Sequence, residues 1–265
     1  MKKNWYLIIG CVLIGAIFLM MIVSLFYTPY EANIHTDDKF MAPCFKHLFG
    51  TDRFGMDIFS RIMKGAQNTF LIALGTVLFG VVFGLCIGAV SGYFGKYIDE
   101  ILMRFNDALL AFPGILIALI LISVFGKGVP VMIVSLGIMF IPSYVKVIRG
   151  EYVRCRNLDF VNSARAMGAK PVRIMFVHIF PNIIIQLIPS ITIGFANAVL
   201  AESSLSFLGL GIQPPDASWG NMILDAQGYW FDYPWVAIFP GLMIILSVLG
   251  FNFIAEGLAR GREMR

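Results

Sequence analysis

Charge is what this chain has least of. Only 14% of its 265 residues are Asp, Glu, Lys or Arg, while 58% are hydrophobic and the mean hydropathy is +0.82. That balance excludes a soluble domain built around a single core, because too little polar surface is left to cover it. Catalytic signatures are missing too. There is no HExxH and no GxSxG, and His35, His47 and His178 are scattered along the chain. A nucleotide-binding loop needs Gly, four residues, Gly, Lys, then Ser or Thr, so that backbone amides wrap the phosphates. Lys96 follows Gly95 with Val90 in the first glycine's place, and Lys127 follows Gly126 with Leu121 there. The chain is therefore expected to bind no ATP by itself and to need no cofactor. Cys11 and Cys86 fall inside apolar runs, while Cys44 and Cys155 fall in separate polar segments, which argues against a disulfide framework or a thiolate metal site.

What is abundant is uncharged length. Stretches able to cross about 30 Å of hydrocarbon as helix run from Asn4 to Tyr30, Gly65 to Gly95, Ala108 to Gly126, Gly128 to Val145, Ile179 to Ala201 and Tyr233 to Ala255. They predict an all-α membrane protein of six transmembrane helices. Within the second stretch the helix is expected near Thr69 to Ser91, and the third is expected to start near Ile101. No span carries a charge at its middle, which disfavours intramembrane hydrolysis and lowers the case for an ion-coupled carrier. With the N-terminus inside, fourteen of the twenty basic residues, among them Lys2, Lys3, Arg149, Arg154, Arg173 and Arg265, fall on the cytoplasmic side. The same scatter over loop ends explains the net charge of +4 and argues against nucleic-acid binding.

Two polar segments are expected outside. Thr28 to Gly65 carries turn signals at Gly50, Asp52, Gly55 and Asp57, and Ile58, Ile62 and Met63 predict a short helix along the membrane surface. Gly209 to Pro234, with Trp235 directly after it, brings Trp219, Tyr229, Trp230, Tyr233 and Trp235 to the water–lipid boundary. Pro113, Pro142, Pro189 and Pro240 lie at or inside spans, where freed carbonyls bend helices.

The most informative segment runs from Arg149 to Pro181, a polar interruption that predicts two short helices about Gly168 and Pro171. Ser163, Ala164, Ala166 and Ala169 are small enough to admit a close partner, Gly168 turns the chain, and Arg154, Arg156, Arg165, Lys170 and Arg173 supply donors. Elsewhere, Glu100 and Arg104 are four apart and Arg104 and Asp107 three apart, so they form either an ion-pair set on one helix face or a gate at the inner mouth. Glu202, beside Ser203, Ser204 and Ser206, either contacts a substrate or satisfies nearby donors.

FVNSARAMGAKPVRIMFVHIFPN resembles the Glu-Ala-Ala loop of permease subunits in ATP-binding-cassette importers. Asn162, Ser163 and Ala164 take the signature positions, with Asn for Glu and Ser for the first Ala, followed by Gly168 and Pro181. HLFGTDRFGMDIFSRIMKGA, MRFNDALLAFPG, AESSLSFLGLGIQPPDASWGNMI and GLMIILSVLGFNFIAEGL resemble successive blocks of the second permease of the peptide and nickel branch, over Leu48 to Leu258. The resemblance implies the type I importer permease fold: an N-terminal span over 1–27, an extracytoplasmic segment over 28–66, a permease core over 67–258 and a cytoplasmic tail over 259–265. It implies an ATPase-coupling loop over 149–181 centred on Asn162, Ser163, Ala164, Arg165, Ala166, Met167, Gly168 and Ala169. It also implies a second homologous permease, two cytoplasmic ATPase subunits and an extracytoplasmic solute-binding protein, all at a prokaryotic plasma membrane with both termini inside. Peptides are the expected cargo and nickel the alternative. A secondary carrier and a membrane assembly protein remain as other classes.

Overall fold

The structure, a computed structural model, describes residues 4–263; Lys2, Lys3 and the last two residues of the tail lie outside them. α1 (Trp5–Phe26) opens at Asn4, whose side chain accepts from the Leu7 N–H. α2 (Ile58–Phe94) is 37 residues long, about 55 Å at 1.5 Å per residue, and so overshoots the hydrocarbon layer. Asp57 caps its start by accepting from the Ser60 N–H at 2.8 Å, and Gly95, at φ 66°, ends it. There follow α3 (Lys96–Leu110), α4 (Gly114–Phe125), α5 (Val129–Cys155), α6 (Asp159–Ala166), α7 (Pro171–Arg173), a π-helical stretch (Ile174–Ile179), α8 (Phe180–Phe207), α9 (Trp219–Ala226) and α10 (Trp235–Glu263). Five helical segments are long and apolar enough to cross a membrane, or six if the bent pair α3–α4 is one span.

Three expectations need correction. The third span is not one straight helix: α3 and α4 meet at 82°, with the break at Ala111, Phe112 and Pro113. Pro113 has no N–H to continue the ladder and disfavours helical backbone at the residue before it. The separate surface helix does not form, because Ile58, Ile62 and Met63 are the buried first turns of α2. The tail from residue 259 is not a separate segment among the described residues, since α10 continues through Glu263.

The bundle is organised by the contact between α2 and α5. Gly80, Gly84, Gly88 and Gly92 recur every four residues along one face of α2. A Cβ at Gly84 would stand 2.6 Å from Tyr144 Cβ, one at Gly88 3.0 Å from the Val145 carbonyl oxygen, and one at Gly92 2.7 Å from the Arg149 carbonyl oxygen. The stripe lets the two backbones meet, which is how helices associate where lipid removes the hydrophobic drive. α1 packs on α10 in the same way: a Cβ at Gly10 would meet the Gly250 carbonyl at 2.7 Å.

The segment between α1 and α2, with α9, forms a cap on one end of the bundle. Phe40 stacks on Tyr233 and Phe49 on Phe239, each at 4.0 Å. Asp52 accepts from the Phe54 and Met56 N–H groups and lies 3.7 Å from Arg61; burial lifts its carboxyl above the usual range while those partners pull it back. Trp219 does not sit at the lipid boundary. It is fully buried, donating to the Ile62 carbonyl at 3.1 Å and so fastening α9 to α2. Trp230 is half exposed.

Gly84→Val should overpack the α2–α5 contact and cost about 1–3 kcal/mol. Gly150→Ala, on an exposed face of α5 with nothing near the new methyl, should gain up to about 1 kcal/mol. Melting of the purified chain in mild detergent checks both.

Candidate docking site

α5 ends at Cys155, and the chain turns back at once. The Leu158 N–H donates to the Cys155 carbonyl at 3.0 Å and α6 begins at Asp159, an acid in the first turn where the helix dipole favours it. α6 ends in a left-handed glycine: Gly168 has φ 79°, and the Ala169 N–H donates to the Ala164 carbonyl at 3.1 Å. Pro171 then starts α7, which passes into the π-helical stretch and α8. The polar interruption is thus a folded elbow joining α5 to α8.

Only one face of α6 is free. Val161 and Ala164 are buried against the chain itself, while Asn162, Ser163, Arg165, Ala166, Met167 and Gly168 are exposed and Ala169 is half-buried. Met167 is 81% exposed. Ala164 therefore seats the helix, and the open small residues are Ser163 and Ala166. The Asn162 amide donates to the Asn157 carbonyl at 3.2 Å, taking up part of the signature position's polar capacity. Lys170 and Arg173 are exposed with no carboxylate partner among the described residues, and Arg165 lies 5.9 Å over the Tyr93 ring.

The elbow is fastened at its root. The buried Tyr152 hydroxyl donates to the Met175 carbonyl at 3.0 Å, joining α5 to the π-helical stretch. In that stretch the ladder is shifted by one residue, and Pro181, just beyond, brings no N–H to it, so the Tyr152 hydroxyl gives a carbonyl there a further donor. Arg156 donates to the Gly92 carbonyl at 3.1 Å, and Arg149 makes two 2.5 Å bonds to the Asp99 carboxylate, which Ser91 also donates to. A bidentate Arg–carboxylate pair fixes direction as well as distance. Sequence spacing misses these ties because they cross between helices; their only local trace is the run of glycines that brings α2 and α5 together.

Of the residues proposed as a gate, only Glu100 and Arg104 form an ion pair with one another among the described residues. Arg104 pairs with Glu100 at 2.7 Å, as the spacing predicts, on an exposed face. Asp107 instead takes Lys146 of α5 at 2.9 Å. Glu202 is at the opposite end of the bundle and wholly buried, accepting from Ser206 at 2.7 Å and Ser203 at 3.3 Å. It lines none of the described cavities. Ser203 and Ser206 take up its oxygens, the arrangement of a carboxylate that satisfies nearby donors.

All-helical, with its spans gathered on one long helix and a folded polar elbow between two of them, the chain is of the polytopic permease class. It belongs to the family of binding-protein-dependent transport system inner membrane components, whose pattern matches residues 84–263. It is similar to the dipeptide transport system permease protein DppC of Alkalihalophilus pseudofirmus, with 36% identity over 97% of this chain and 85% of that one. It is likewise 36% identical to the glutathione transport system permease protein GsiD of Pectobacterium atrosepticum, over 92% of this chain and 83% of that one. Among solved structures, an inward-facing form of the MetNI methionine ABC transporter superposes with a TM-score of 0.61 at 17% identity, covering 74% of this chain and 94% of that one. The fold is the type I ABC importer permease fold.

Glu202→Leu should leave the Ser206 hydroxyl without its acceptor and cost about 1–3 kcal/mol, with Glu202→Gln recovering part of the loss. Thermal melting of the two variants side by side checks the assignment.

Proposed function

We propose that the chain is a membrane-embedded permease subunit of an ABC importer for di- and oligopeptides, doing no chemistry of its own. Its family and fold support the importer assignment. The names of its relatives support peptide cargo: dipeptide, peptide and glutathione systems stand among them, and these favour peptides over nickel. The observation that carries the mechanism is the elbow, which offers Ser163, Ala166 and Met167 outward while Val161 and Ala164 lock the same helix to the bundle.

In this reading the elbow and both termini face the cytoplasm, as the concentration of basic residues there favours. α6 sits in a cleft of one ATPase subunit, a second homologous permease completes the pathway, and a second ATPase serves that partner. The outer segments 28–66 and 209–234 receive the solute-binding protein. Closure of the ATPase pair moves α6, and α5 and α8 carry the displacement because Tyr152 and Arg149 fix the elbow's root. Coupling is then a difference in docking free energy between two conformations. The core over 67–258 does the moving, and α1 is an added span.

A cysteine at Met167 should crosslink to an ATPase subunit. Gly168→Val should abolish peptide uptake while leaving the chain in the membrane, since the new side chain opposes the positive φ by about 1–2 kcal/mol without any clash nearby. Reconstituted vesicles check this. Uptake driven by an ion gradient without ATP would instead point to a carrier.

A further inference from the structure

Near the α9 end of the bundle, a cavity of about 630 Å³ opens between the segment after α1, the start of α2 and the turn before α9. Glu31, Lys64 and Asp216 line it, one from each element, and none of the three makes an ion pair among the described residues. Its walls are pinned: the Tyr30 N–H donates to Ser60 Oγ at 3.1 Å, and the Asn68 amide donates to the Ala217 carbonyl at 2.8 Å. Gln67, held by its bond to Ser24 at 2.7 Å, lines this cavity and also a second one of about 360 Å³ below it. The lower space is walled by Phe18, Met21, Leu25, Phe70, Leu71 and Leu74, without a charged group.

The geometry points to a phospholipid site in this crevice between α1 and α2. A zwitterionic headgroup with a primary ammonium sits in the polar mouth, and one acyl chain lies in the apolar floor. Charge complementarity selects the headgroup: Lys64 meets the phosphate, while Glu31 and Asp216 meet the ammonium. Length selects the chain. From Lys64 to Leu74 is ten residues of helix, about 15 Å, or half of an about 30 Å hydrocarbon core, which is one leaflet. The floor reaches the outer surface of the chain, since Leu25, Leu71 and Leu74 are each about half exposed. A peptide would find almost no hydrogen-bond partners for its backbone there, so the lower cavity disfavours a peptide occupant.

The test uses the full-length chain co-expressed with its transporter subunits, stripped of lipid in detergent. Adding phosphatidylethanolamine should raise the melting temperature, and phosphatidylcholine, whose ammonium donates no hydrogen bond, should raise it less. Lys64→Met should weaken retention of phosphatidylethanolamine about tenfold, the loss expected of one charge-assisted contact, and Leu71→Trp should exclude the acyl chain. If Leu71→Trp fails to fold, Lys64→Met and Glu31→Gln, both at the cavity mouth, still decide. Native lipid retention in those variants would overturn the assignment. So would stabilisation by dialanine in place of phosphatidylethanolamine, which would make the mouth a peptide site.

Discussion

The approach of α5 onto the glycine face of α2 is the constraint on which the rest of the structure depends. Lipid tails are as apolar as any leucine, so helices in a bilayer gain little from burying apolar surface and must gain from contact and hydrogen bonds. Four glycines at a spacing of four make that contact possible at backbone distance. α2 then carries both ends of the molecule. At one end it supports the cap through Trp219 and Asn68, and at the other it receives Arg156 on the Gly92 carbonyl. α5, held along its length, ends directly in the elbow. Side chains larger than hydrogen on that face would part the helices and with them the root of α6.

The two polar ends are built differently. The elbow is two short helices about Gly168, tied at the root by a few directional bonds, with one face of α6 open. The cap is held by aromatic stacking and by buried carboxylates, Asp52, Asp57 and Glu202, each given donors by neighbouring groups. The proposed passage of force from one end to the other needs both features: a rigid middle, and an exposed end that does not fray.

Much of this was legible in the residues. The apolar runs marked the spans because a bilayer admits only helices whose backbone groups are satisfied within the segment. The elbow's two helices were legible from Gly168 and Pro171, and the Glu100–Arg104 pair from its spacing. The 82° break was hidden because Phe112–Pro113 lies in a continuously apolar run, where composition does not distinguish a bend from a straight helix. Asp107 read as a partner for Arg104, yet crosses to Lys146 of α5, because tertiary approach decides among local options. Trp219 read as an interfacial ring, but its indole N–H finds a backbone carbonyl inside the bundle. Ala164 was legible as one of a run of small residues, while the direction it faces depends on how α6 seats against the bundle.

In the proposed coupling, the α2–α5 contact and the ties at the elbow's root make α2, α5 and α6 move as one body. Paired spin labels at Phe94, on the exposed end of α2, and Met167, at the tip of the elbow, test it most directly in the assembled transporter. The same interlabel distance is expected in the nucleotide-free and ATP-trapped states. A distance that changes between those states would show α6 swinging on its own and would rule out rigid coupling through α5.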